Sequence, residues 1–154
     1  MKRLFLFAAF VLSSLFLSAQ SLQPYSKWFG SNKVFDDYTP HSEVRVTAPY
    51  NSDVIVIIRN NNKNGTVAGH RYISRGSTGT IALNNGTFQV FFYYGSSWSP
   101  YVDMGDGIIG GFTKDVSYSK DNPVQLYNNV LTYELILQRS GNFNTQPSNK
   151  NEEF

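Results

Sequence analysis

From Glu43 to Tyr94 apolar and polar residues alternate in short runs divided by turn residues, the period-two pattern of strands with one buried face. Glu43 to Ala48 sets Val44, Val46 and Ala48 on one face, and Pro49 closes the run. Val54-Ile55-Val56-Ile57-Ile58 is apolar at every position, which predicts a central strand covered on both sides. Asn60 to Gly65 is a turn by composition, and Thr66 to Ser74 returns as a strand. Gly76 to Gly79 turns again, Thr78 to Leu83 directs Ile81 and Leu83 inward, and Asn84-Asn85-Gly86 predicts a tight hairpin. Thr87 to Tyr94 then sorts Phe88, Val90, Phe92 and Tyr94 to one face and Thr87, Gln89, Phe91 and Tyr93 to the other.

Beyond Tyr94 the pattern loosens. Gly95 to Gly107 is expected to be a long irregular loop because of its Gly, Ser, Pro and Asp content. Short strands are expected at Ile108 to Thr113 and Val116 to Tyr118, with a turn at Lys120 to Pro123. Leu131 to Arg139 alternates cleanly, with Leu131, Tyr133, Leu135 and Leu137 inward, and Ser140-Gly141-Asn142 ends it. No helical period of useful length follows residue 19. Short strands at this spacing predict an all-β antiparallel sandwich of about seven to nine strands, with a small β-barrel as the alternative.

The first residues have a different character. Lys2 and Arg3 precede an apolar run from Leu4 to Leu17 and a small-residue end at Ser18 and Ala19, the layout of a cleaved secretory leader. The organisation expected is a signal peptide at 1–19, a polar lead-in at 20–42, a sandwich domain at 43–144 and a polar tail at 145–154. The destination is the periplasm, the cell surface or the medium, and the mature chain is expected to have no transmembrane segment. Its strands lack the lipid-facing apolar band of a membrane barrel.

Export changes the meaning of the charge. The 154 residues carry 13 Lys and Arg against 11 Asp and Glu, and loss of Lys2 and Arg3 with the leader brings the formal balance to zero. A neutral domain has no field of one sign to attract nucleic acid. The chain has no cysteine, so disulfides and thiolate chemistry are excluded.

Tyr72-Ile73, Gly76, Thr78, Ile81 and Leu83, then Gly86-Thr87-Phe88, Val90, Phe92, Gly95 and Trp98 resemble a pattern of small exported or surface-linked bacterial β-domains of unassigned function. In these a strand pair precedes a G-T-[YF]-x-[LV]-x-[YF]-x-x-G-x-x-W strand. Ser117 to Asp121 and the ending Gly141-Asn142-Phe143-x-Thr145-x-Pro147 are similar too. The resemblance implies an all-β accessory domain and supplies no catalytic residue. The chain departs from it between Ser99 and Lys114 and in placing Phe91 and Tyr93 on the strand's second face.

Candidate chemistry is sparse. Phe91, Tyr93, Trp98 and Tyr101 form the candidate ligand-binding cluster, suited to stacking on sugar rings or to the aromatic centre of a protein interface. Burial of the same residues as a satellite core under the long loop is the alternative. Asp103, Asp106, Asp115 and Asp121 are expected to be solvated turn residues, since Asp103 to Gly107 lacks the alternating ligands of a calcium loop. His41 and His70 are distant and supply no usual zinc set unless carboxylates complete it, and His70 is expected on an exposed strand face. Arg59, Lys63, Arg71 and Arg75 are expected to form a solvated strand face, with a docking patch for an acidic partner or a second copy as the alternative.

No G-x-S-x-G elbow is present, and glycoside hydrolysis would have to draw on Glu43, Glu134 and the loop aspartates. The sequence therefore favours a non-enzymatic binding or envelope-accessory module without cofactor or metal, contacting protein or carbohydrate. A self-assembling structural subunit and a small carboxylate-dependent hydrolase are the alternatives.

Overall fold

The computed structural model describes residue 35 and residues 39–61, 65–105, 107–135 and 146–153. The leader, most of the lead-in, Lys63, Asp106, Leu137 and the Gly141-Asn142-Phe143 motif lie outside them. The described elements are strands β1 (Ser42–Thr47), β2 (Asp53–Asn60), β3 (Val67–Ile73), β4 (Thr78–Leu83), β5 (Gly86–Gly105), β6 (Ile108–Lys120), β7 (Val124–Leu126), β8 (Val130–Glu134) and β9 (Gln146–Pro147), and a four-residue helix α1 (Lys150–Glu153). They form two packed sheets that do not close on each other, so the architecture is a sandwich and not a barrel.

The smaller sheet has the order β4-β1-β8, with β1 antiparallel to β4 and parallel to β8. The larger runs β3-β2-β5-β6-β9, and β7 continues the line of β6 along the same edge of β5. Pro147, which donates no ladder hydrogen bond, sits on the edge strand β9. Alternation along the strands assigns the main core. Val44, Val46, Val54, Val56, Ile58, Ile81, Leu83, Phe88, Val90 and Phe92 fill the space between the sheets, as their positions in the sequence require. Tyr133 locks the layers together: its ring meets Phe92 edge-on at 5.0 Å, and its hydroxyl donates to Asp121 Oδ2 at 2.6 Å across the sandwich.

Two turns differ from expectation because of where they lead. Asn84-Asn85-Gly86 does not make a hairpin, since β4 and β5 belong to different sheets. Its carboxamide acts instead as a corner tie, with Asn85 Oδ1 accepting from the Ser42 hydroxyl and the Asn128 N–H, each at 2.8 Å. Ser74 to Ser77 also crosses between layers, and Arg75 fastens it to the start of β2: its N–H and Nε donate to Asp53 Oδ1 at 2.9 and 3.2 Å. Burial alone would raise the Asp53 carboxyl, but the Arg75 bonds outweigh it and hold the group below its ordinary value. The connections from β1 to β2 and from β7 to β8 cross between the layers as well.

The largest correction concerns Gly95 to Gly107, which is no loop. β5 runs on to Gly105 and pairs with β6, itself one strand where two short ones are expected. Glycine and serine in this stretch serve a bend and not an irregular coil. The register shifts between Tyr94 and Ser96, Ser97 and Asp115 take positive φ on facing strands, and the Ser96 hydroxyl donates to Asp115 Oδ2 at 3.0 Å. There the hairpin folds back over the outer face of its own sheet, and a second core forms beneath it. Ile55, Ile57, Phe91 and Tyr93 from the sheet meet Met104 and Phe112 from the returning hairpin.

The remaining departures are smaller. Val124–Leu126 is an additional strand, β8 is described only to Glu134, and the polar stretch after residue 145 pairs with β6 and ends in α1. His70, expected on an exposed face, is buried on β3 beside Ile57. The return of the hairpin depends on the missing side chain at Gly95, where a Cβ would lie 2.4 Å from Phe112 Cβ. Gly95→Ala is therefore expected to lower stability by about 1–3 kcal/mol in urea melts and to shift Trp98 fluorescence to the red as the hairpin lifts. Unchanged melting and emission would show that the two segments do not pack this closely.

Candidate functional site

The distal half of the β5–β6 hairpin holds two of the four aromatic residues singled out by sequence, and the sheet beneath it holds the others. Phe91 and Tyr93 are 5% and 1% exposed, so their rings belong to the second core and present no face to a ligand. Their strand face looked half polar in sequence, yet the returning hairpin covers it. Tyr93 is the hub of this layer. Its ring stacks on Tyr118 at 5.0 Å and lies 4.9 Å from Phe112, while its hydroxyl accepts the Phe112 N–H at 2.7 Å. Burial raises the Tyr93 hydroxyl well above its ordinary pKa, which keeps it a neutral hydrogen-bonding group.

Trp98 is half-buried, with its ring edge-on to Phe112 at 5.4 Å. Tyr101 is 88% exposed. The ladder explains the difference. Ser99 pairs with Gly111 and Asp103 with Ile109, so Pro100, Tyr101 and Val102 stand opposite Gly110 alone. This wide bulge turns Tyr101 to solvent while Val102 packs on the second core. Ile109 is exposed on the facing strand, and the tip therefore carries an aromatic and an aliphatic side chain in solvent. Periodicity alone carries no signal for such a bulge.

The other candidates disperse. The Arg59 guanidinium donates to the carbonyls of Gly65 and Glu153 at 2.8 and 2.7 Å, Arg71 donates to Thr80 O, and Arg75 is paired with Asp53. These cations are engaged inside the chain and do not act as one free patch. Asp103 accepts the Gly105 N–H, Asp115 the Ser96 hydroxyl and Asp121 the Tyr133 hydroxyl, each at a different level of the sandwich. His41 stacks on Phe35 at 5.0 Å and its Nε2 lies 3.6 Å from Glu43. Among the described residues no three His, Asp or Glu side chains converge as metal ligands.

One titratable group escapes sequence reasoning. Helix α1 is capped by Asn149, whose side-chain oxygen accepts the Asn151 N–H at 3.0 Å, and it is clamped by Lys120 to Glu152 at 2.7 Å and Lys150 Nζ to Asp103 O at 2.6 Å. These contacts seat Glu153 fully inside the protein, with no hydrogen-bond partner for either carboxyl oxygen among the described residues. Burial pushes its pKa up to about 9, the Glu152 charge adds to the rise, and Ser148, Arg59 and Lys120 oppose it. A glutamate next to the chain end reads in sequence as a solvated tail residue.

The consequence is a pH dependence of fixed sign. An unfolded glutamate loses its proton near 4.5 and folded Glu153 near 9, so the contribution is complete below about 4.5, declines as pH rises and levels off above about 9. Between pH 5 and 9 the protein is expected to lose on the order of a few kcal/mol, limited by the cost of undocking α1. Glu153→Gln is expected to flatten that decline in urea melts across the range. Parallel curves for the two proteins would show that the carboxyl is not held neutral.

No protein-family model, curated protein or solved structure shows a significant match to this chain.

Proposed function

We propose that this chain is an exported, non-enzymatic binding or envelope-accessory module that contacts protein or glycan through the tip of the β5–β6 hairpin. The observation that carries this is the bulge at Pro100 to Val102, which turns Tyr101 outward on a hairpin longer than the sandwich itself needs. Tyrosine supplies a large contact area with little side-chain freedom to lose, and Trp98 behind it is held by Phe112. Phe91 and Tyr93 support this surface from below by fixing the returning strands. The leader-like first residues and the resemblance to exported β-domains favour the envelope setting.

A second function, self-assembly as a structural subunit, is favoured by a separate observation. Neither outer strand of the smaller sheet, β4 or β8, pairs with a further strand among the described residues, and Tyr127 ahead of β8 and Val130 at its first position are exposed. Edge pairing predicts oligomers that grow with concentration. Light scattering that shows a strict monomer at millimolar protein would remove it.

For the binding module, the decisive variant is Tyr101→Ala. An exposed side chain costs little to remove, so stability is expected to change by less than about 0.5 kcal/mol. Glycan-array and pull-down measurements should then show loss of every partner retained by the unmodified protein. Retention of all detected interactions in Tyr101→Ala, with the fold intact, would rule out the hairpin tip as the contact surface.

A further inference from the structure

The turn between β1 and β2 displays Tyr50 with 90% of its surface open, and its ring lies over the backbone at Gly76. A Cβ on Gly76 would lie 2.9 Å from Tyr50 Cδ1 and 3.1 Å from Cε1, and the Gly76 N–H donates to Pro49 O at 3.1 Å. Gly76 has a φ of +69°, so a glycine is required both for the backbone and for the approach of the ring. The ring is therefore displayed to solvent at the mouth of the β1–β2 turn.

Beside it opens a groove of about 480 Å³, walled by Ala48, Pro49 and Leu135 together with Tyr50. Among the described residues Glu134 is the only charged one of its lining, is exposed, and forms no ion pair. The groove thus combines apolar walls, an aromatic ring and one uncompensated carboxylate. Charge complementarity selects the occupant. A cation is attracted both to the ring and to the carboxylate, and the methylene stem of a long basic side chain suits the apolar walls. An anionic side chain is repelled, and a neutral sugar stacks on the ring but leaves the carboxylate unbalanced.

We propose that this groove binds a lysine or arginine side chain presented by a partner protein. The stem lies along Ala48, Pro49 and Leu135, and the charged head reaches Tyr50 and Glu134. The site shares no residue with the hairpin tip and does not rest on the function proposed for it, so each can fail without the other.

Peptides of the form acetyl-Gly-Ser-X-Ser-Gly-amide, with X as lysine, arginine, norleucine or glutamate, test this in amide chemical-shift titrations of the protein. Lysine and arginine peptides are expected to shift Tyr50, Asn51 and Leu135 saturably, with affinity about tenfold above norleucine, which keeps the stem and lacks the charge. Tyr50→Ala and Glu134→Gln should each weaken the lysine peptide by about threefold or more, and Tyr127→Ala, at another exposed tyrosine, should not. Equal binding of norleucine and lysine, undiminished lysine binding in both groove variants, or shifts of these resonances by maltohexaose in place of the basic peptides would each overturn the proposal.

Discussion

Ile55 and Ile57 point away from the space between the two sheets, and the outer half of the molecule is organised around that fact. A strand that alternates buries one face, but β2 is apolar on both, and so are the central residues of β5 through Phe91 and Tyr93. Left in water, this second face would be a contiguous apolar patch in the middle of the larger sheet. The protein covers it with its own chain by extending β5 and β6 well past the sandwich and folding the excess back. The glycines at 95 and 111 let the returning strands approach, and the Tyr93 hydroxyl satisfies a backbone N–H that would otherwise be buried without a partner. Helix α1 completes the cover from the C-terminal side.

The main core was legible in the sequence because it obeys a single rule. Phe88, Val90 and Phe92 alternate on β5 as Ile81 and Leu83 do on β4, and strict period-two patterning leaves little choice of face. The continuous run Val54 to Ile58 also announced a strand covered on both sides. What covers it could not be read, because Gly95 to Gly107 has the composition of a loop and the hairpin ladder that makes it a strand is interrupted by register shifts that break the alternation. Asn84-Asn85-Gly86 has the chemistry of a tight turn, and only the assignment of β4 and β5 to different sheets makes it a corner. Buried Glu153 and buried His70 depend likewise on tertiary packing that overrides residue type.

The same distinction separates the candidate sites. The aromatic cluster drawn from sequence divides at the bend near Ser97: Phe91 and Tyr93 stabilise, while Tyr101 is presented. Tyr50 attracted no attention in the sequence because a tyrosine in a short turn has no pattern around it. Its significance arises from Gly76, 26 positions away, which supports the ring from beneath. In both places a bulge or a turn frees an aromatic side chain from the alternation that would otherwise bury it.

The parallel pairing of β1 with β8 bears on how the chain acquires its structure. β1 is the central strand of the smaller sheet, yet one of its two neighbours is not synthesised until residues 130–134. A chain emerging from its N-terminus can pair β2 with β3 and join β1 to β4 early, but the main core stays open along one side until almost the whole domain has appeared. Topologies dominated by such distant contacts fold slowly, because closing the long intervening segment costs entropy before any contact is gained. Completion of the smaller sheet thus waits for residues 130–134, whatever has formed before them.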